Sequence, residues 1–421
     1  MSTSSSEGQR PALSWSRLAW QSARAVWGLV RCAPHVRLRH LRAVREATRR
    51  AREADPRCSP LRRVNDGLHE IDPRWLGAVQ TEPLRCVDPM IVLHFVGTGE
   101  TRHGPLPCIA RLVRACPALR TQRHFVVDGP ADPLAYEDLA TLSPRVWTAL
   151  EPLIDASSGP FVLVGLSRGG ALALEVAARI ADEKRKAVSC IALSPPLARP
   201  RRLPRIVEMI AGFGTLASAY TDAVSRGVVP SWLTGLATRV VRTLQLAITA
   251  YVLADLQAAD EETIAWSLRD LREDDGMDSA LRQVGEFGLL QRTSEVELVR
   301  FTRFVTRSLV HNELAWAVAL WGEEDTWLSA SACRGQIEQA LKRLRNAHGA
   351  IATSMVPGRH NLSRGANDDF DALSPHFERA VHEARARAEH EARRQRSRAR
   401  LERRMREGLT TAEPASEERH V

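Results

Sequence analysis

Phe161-Val-Leu-Val-Gly165-Leu-Ser167-Arg-Gly169-Gly170-Ala-Leu172 is the stretch on which the reading of this chain turns. An apolar run leads into a tight G-x-S-x-G turn, and Ala171-Leu-Ala-Leu-Glu-Val-Ala-Ala then continues as a helix. The order strand, turn, helix puts the Ser167 hydroxyl above the end of a strand. Gly165 and Gly169 flank it because a Cβ there would collide with neighbouring backbone. The new helix directs its first amide N–H groups and the positive end of its dipole at the serine, which suits an oxyanion.

Working outward, the same alternation recurs between residues 89 and 357. Strand candidates are Met90–Gly97, His124–Asp128, Phe161–Leu166, Val188–Leu193, Ala315–Leu320 and Ala350–Val356. They are nearly unbroken apolar runs, the pattern of parallel strands covered on both faces. Helical periodicity fills the gaps at 105–116, 134–156, 169–182 and 332–346, which predicts a doubly wound, mostly parallel α/β sheet. One gap, between Leu193 and Ala315, is too long for a loop in a compact domain. Its helical patterns at 203–219, 231–258, 261–273 and 294–309 predict an inserted helical subdomain. No repeat of 20–50 residues is visible.

The 421 residues carry 59 basic and 50 acidic side chains, a formal charge of +9. Its distribution is uneven. Residues 1–72 hold fourteen arginines against seven acids, residues 376–421 hold twelve against nine, and the span between is near neutral, with 33 bases against 34 acids. Four segments follow: a basic helical N-terminal arm at 1–72, an α/β core at 73–196 and 310–375, a helical cap at 197–309, and an Arg/Glu-rich C-terminal helix and tail at 376–421. Seven cysteines at irregular spacing, with no C-x-x-C pair, indicate neither a disulfide framework nor a zinc site, and a reduced cytoplasmic setting is the expectation. No apolar stretch is long enough to predict a transmembrane helix or a signal peptide.

With the Ser167 turn in place between strand and helix, the chain resembles the α/β-hydrolase superfamily over about residues 80–375. That resemblance implies a serine nucleophile, then an acid, then a histidine, in chain order. The acid falls after a late strand, in Trp316-Ala-Val-Ala-Leu-Trp-Gly322-Glu-Glu-Asp325, with Asp325 the first choice and Glu324 the reserve. The histidine follows the last strand, in Ser354-Met-Val-Pro-Gly-Arg359-His360, which singles out His360 among thirteen. The resemblance also implies an oxyanion hole built from the Arg168 N–H and from the loop His94-Phe-Val-Gly97-Thr98-Gly99. The family's common His-Gly pair is absent from that loop, so aligning Gly97 with the family glycine points to the Thr98 N–H. Such a site cleaves a carboxylic ester, of lipid or acyl-chain type, through an acyl-enzyme and requires no metal or cofactor.

The insertion sits where the superfamily carries its lids, and its apolar helices suit an acyl pocket. Other readings of the same residues remain open. They are a bacterial phospholipase effector or toxin (from the similarity of the G-x-S-R-G turn and the Gly97-Thr-Gly loop to secreted bacterial lipases), a thioesterase or acyltransferase, and a non-catalytic scaffold. In the N-terminal arm, Arg17, Arg24 and Arg31 form a stripe against a wide face with Trp15, Trp20 and Trp27. This is either an interfacial helix giving peripheral membrane contact or a helix docked on the body. The C-terminal helix is expected to pack Phe377, Ala380 or Val381, Ala384 and Ala388 against the sheet and then to run solvated and salt-bridged. Without interleaved aromatics, it argues against a nucleic-acid reader.

Overall fold

The computed structural model of the chain describes residues 59–77, 89–97, 100–128, 139–198, 261–273, 314–325, 327–342, 351–362 and 370–410, with Trp20, Arg45, Glu46, Arg49 and Gly235. Its strands are β1 (Leu61–Asn65), β2 (Leu68–Ile71), β3 (Ile91–Phe95), β4 (Arg123–Val127), β5 (Phe161–Leu166), β6 (Val188–Leu193), β7 (Trp316–Gly322) and β8 (Ala352–Val356). Its helices are α1 (Leu106–Ala115), α2 (Leu139–Ala156), α3 (Arg168–Glu183), α4 (Glu261–Glu273), α5 (Ala330–Lys342) and α6 (Phe370–Thr410). One eight-stranded sheet runs in the order β1-β2-β4-β3-β5-β6-β7-β8. The six strands from β3 onward are mutually parallel, and β2 is antiparallel to both its neighbours.

The unbroken apolar runs have a simple cause, because successive side chains enter different cores. Ile91, Leu93, Phe95, Phe161 and Leu163 face Val146, Trp147, Leu150 and Ile154 of α2 and the alanine-rich side of α3. Val92, Val96, Val162, Val164 and Leu166 face Leu106, Ile109 and Leu112 of α1 and Leu373, Phe377, Ala380, Val381 and Ala384 of α6. At about 25 cal/mol per Å² of apolar surface removed from water, these two layers dominate the stability of the body. β8 is different. Among the described residues it closes the sheet as an edge strand paired with β7 alone, and four of its five residues are partly or fully exposed.

The arm predicted over residues 1–72 is to be shortened, because β1 and β2 lie within it and belong to the sheet. They form a hairpin across Asp66-Gly67, with Gly67 at φ 84°. Arg62 and Arg63 had been counted with the basic arm. Arg62 instead pairs with Glu70 of β2, which also receives Arg123 of β4 at 2.8 Å. Burial works to raise the Glu70 carboxyl, but the hydrogen bonds and charges of Arg123 and Arg62 outweigh it and hold it below its ordinary range. Elsewhere in the arm, Trp20 is helical and exposed. Arg45, Glu46 and Arg49 are helical too, with Arg49 paired to Glu46. The other residues before Ser59 lie outside those described, as do the predicted helices at 203–219, 231–258 (Gly235 apart) and 294–309.

α4, foreseen at 261–273, packs against α1 and the segment before it. Thr101 Oγ1 donates to the Ser267 carbonyl at 3.3 Å, and Trp266 stacks on His103 with ring centroids 5.7 Å apart. Ser59, just before β1, meets His103 Nε2 at 2.8 Å from the other side. The segment leading from β3 into α1 is thus held both by the hairpin and by the insertion.

A buried histidine pair links β3 and β4. His124 Nε2–H donates to the Leu119 carbonyl at 2.9 Å, which leaves its Nδ1 to accept from His94 Nε2–H at 3.0 Å. Burial pushes His124 down to about 4, against the opposing effect of the Leu119 carbonyl. A base whose proton affinity is depressed by folding stabilises the fold above its unfolded value, near 6.5, and that contribution is lost as pH falls toward 4. The expected loss from this group is about 2 kcal/mol between pH 7 and pH 5. Urea denaturation at the two pH values measures it, and His124→Leu should shrink the difference by that amount. An undiminished difference in the variant would assign the acid sensitivity to other groups.

Candidate active site

The chain passes from β3 to β4 on one side and, by way of β5, to β6 on the other, so the strand order reverses between β3 and β5. In open α/β sheets the crevice above the carboxyl ends of the strands at such a point is where ligands bind. Phe95 pairs with Gly165 across this junction, bringing Gly97 and Ser167 to the same edge.

Ser167 follows β5 directly, at φ 52° and ψ −122°, a region sparsely populated by non-glycine residues. The strain is held from both sides. Ser167 N–H donates to the Leu193 carbonyl of β6 at 2.7 Å, and the Ser167 carbonyl accepts from Gly170 and Ala171 at 2.8 and 3.2 Å as α3 begins. A Cβ on Gly165 would lie 2.1 Å from the Gly169 carbonyl oxygen, and one on Gly169 would lie 2.5 Å from the carbonyl oxygens of Phe95 and Val96. All of these obstructing atoms are backbone, so the glycines of the motif are steric necessities.

Asp325 and His360 meet Ser167 from β7 and β8. The two strands end side by side, and their following turns are joined by backbone bonds from Glu323 N–H to Val356 and from Glu324 N–H to Gly358, both at 2.9 Å. Asp325 Oδ2 lies 2.9 Å from His360 Nδ1, and His360 Nε2 lies 3.0 Å from Ser167 Oγ. A carboxylate only accepts, so the imidazole proton sits on Nδ1 and Nε2 is left to accept from the serine hydroxyl. The other carboxylate oxygen, Asp325 Oδ1, accepts from the backbone N–H groups of Trp327 and Leu328 at 2.8 and 2.9 Å. The Asp325 side chain is 1% exposed. The reserve candidate Glu324 is 72% exposed and faces Arg359 at 3.8 Å, away from this chain of bonds.

Arg168 is buried in the first turn of α3, so its amide lies at the positive end of that helix. Thr98 lies outside the described residues. The loop that carries it is anchored at both ends: Glu100 N–H donates to the Gly97 carbonyl at 3.3 Å, and the buried Glu100 Oε2 accepts the Gly97 N–H at 2.6 Å. Glu100 was not foreseen, and nor was Trp327, whose ring stacks on His360 with centroids 5.3 Å apart and planes 8° from parallel. A Glu three residues beyond a loop glycine, or a Trp two beyond an acid, carries no pattern that distinguishes it in sequence. Among the described residues, no three His, Cys, Asp or Glu side chains gather as a metal site, and Cys108, Cys116, Cys190 and Cys333 are buried thiols outside any disulfide. Burial pushes the Cys333 thiol up to about 11 and the Cys190 thiol higher still.

Sheet order, one antiparallel strand among parallel ones and a serine on the turn after the fifth strand define the α/β-hydrolase fold. No protein-family model matches the chain, and no curated protein sequence matches it significantly. Among solved structures it is similar to the peroxisomal α/β-hydrolase Lpx1 of Saccharomyces cerevisiae, at 11% identity and a TM-score of 0.43, covering 78% of this chain and 85% of that one. It is also similar to a monoacylglycerol lipase of Paleococcus ferrophilus, at 14% identity and a TM-score of 0.35, covering 71% and 94% of the two chains. Carboxyl esterase 2 of Tuber melanosporum is similar at 14% identity and a TM-score of 0.36, covering 75% and 82%. The fold rests on the sheet itself.

Proposed function

We propose that the protein is a serine hydrolase that cleaves carboxylic esters through an acyl-enzyme. The observation that supports this reading is the unbroken hydrogen-bond chain from Ser167 Oγ through His360 to Asp325, at 3.0 and 2.9 Å. In the reaction, His360 Nε2 takes the proton of Ser167 as its Oγ attacks the acyl carbonyl. The imidazolium so formed is stabilised by the Asp325 carboxylate, itself fixed by two backbone N–H groups. The tetrahedral oxyanion is held by the Arg168 N–H, with the Thr98 N–H as second donor. His360 then passes its proton to the departing alkoxide. Water, deprotonated by the same nitrogen, releases the acid and restores the serine. The ester is of lipid or acyl-chain type, a reading carried by the apolar helical patterns of the insertion.

A fluorophosphonate probe tests the core of this reading, because it phosphonylates only an activated serine. The wild type is expected to be labelled at Ser167 and Ser167→Ala to stay unlabelled. An unlabelled wild type, or a variant labelled equally, would mean that this hydroxyl is not a nucleophile. A chain-length series of p-nitrophenyl esters then ranks the acyl groups accepted.

A further inference from the structure

α6 consists of two unlike halves. Its first turns are bound to the sheet through Leu373, Phe377, Ala380, Val381 and Ala384. The middle is bridged along its own surface by the ion pairs Arg387–Glu391 at 2.7 Å and Arg393–Glu389 at 3.3 Å. From Ala392 to Met405 every side chain is exposed. That stretch, about 20 Å long at 1.5 Å per residue, holds seven arginines and the single acid Glu402. Arg394 and Arg398, Arg396 and Arg400, and Arg400 and Arg404 stand at i,i+4, where like charges destabilise a helix. The distal half therefore neither buries an apolar face nor neutralises itself.

Its composition points to one kind of counterpart. Arg394, Arg398, Leu401 and Met405 fall at i, i+4, i+7 and i+11, on one face of the helix. Leu401 and Met405 are 57% and 61% exposed. A layer of anionic lipid headgroups would meet both parts of that face, phosphates at the guanidinium groups and the acyl boundary at the two apolar side chains. A nucleic acid offers phosphates but nothing for Leu401 and Met405, and 392–405 has no aromatic side chain to stack on a base. Charge reversal between helix and lipid also relieves the i,i+4 repulsion.

We propose that residues 392–405 dock the protein on an anionic membrane surface. No helix among the described residues is long and apolar enough to cross a membrane, so the contact is peripheral. The test is co-sedimentation of the full chain with phosphatidylcholine vesicles, with and without about one-third phosphatidylglycerol. At low salt the protein is expected to bind the anionic vesicles at least about tenfold more strongly than the neutral ones, and to dissociate near 0.5 M NaCl, where screening is nearly complete. Replacing Arg394 and Arg398 together by Glu should reduce that binding by about tenfold or more, and Leu401→Ser with Met405→Ser by severalfold. All four side chains are exposed, and circular dichroism of the variants verifies the fold. Equal partition onto both vesicles, or a charge-reversed variant that binds like wild type, overturns the proposal. So does binding to a short DNA duplex without binding to vesicles. The assay needs no turnover, so its outcome is independent of whether the hydrolase reading stands.

Discussion

Asp325→Asn is expected to lower kcat for a short p-nitrophenyl ester by about 10³- to 10⁴-fold with little change in KM. The reasoning concerns a proton's position. Asp325 Oδ1 accepts two backbone N–H groups while Oδ2 faces His360 Nδ1. In the asparagine variant the amide oxygen keeps the two backbone donors, because exchanging it for NH₂ would set donors against donors. The NH₂ then points at Nδ1, which must give up its proton to accept. The remaining proton moves to Nε2, and a protonated Nε2 cannot receive the serine's hydrogen. Steady-state kinetics and fluorophosphonate labelling should fall together, while the thermal midpoint moves little. Wild-type turnover in the variant would remove Asp325 from the mechanism and return the choice of acid to the exposed Glu324.

Gly169→Ala is expected to cost about 3 kcal/mol or more of folding stability, near the upper end for a single added methyl group. The added carbon would sit 2.5 Å from the carbonyl oxygens of both Phe95 and Val96, with the Phe95 carbonyl carbon at 2.8 Å. A clash with a side-chain tip is relieved by rotation, but these atoms are the backbone of β3 and can move only with the strand. Relief therefore means separating α3 from the end of β3, which also carries the loop to Gly97 away from Ser167. The urea midpoint should drop well below that of the wild type. A variant as stable as the wild type would show that the turn is looser than its packing indicates.

How much of this could be read beforehand follows from how each residue is used. The strands β3 to β7 are buried on both faces, and burial on both faces leaves a continuous apolar run that no loop imitates. β1 and β2 leave no such trace, because β1 stands at the sheet edge, protected by charge, and β2 beside it is only four residues long. Arg62 and its partner Glu70 read as part of a basic arm. The Asp-Gly turn at 66–67 was the available signal, and the charge of its surroundings masked it. Ser167 was legible because its conformation excludes a side chain at two neighbouring positions. The spacing after Gly322 ranks Asp325 ahead of Glu324, but which of the two adjacent acids turns inward depends on the Trp327 and Leu328 amides, which spacing does not encode. The role of Glu100 lies in a single backbone contact, and spacing does not encode contacts of that kind.

The position of β8 has a further consequence, for how the protein would fail. Ser167 and His360 are 193 residues apart in the chain and meet only because the final strand holds its place at the rim of the sheet. Among the described residues that strand has one neighbour and little buried surface, whereas β5, beneath the serine, is enclosed from end to end. Ser167 and His360 therefore belong to regions of unequal local stability. Fraying of β8 would carry His360 away while the rest of the sheet stayed intact, so that on warming or in mild denaturant the chain would fall silent as a catalyst well before it ceased to be folded.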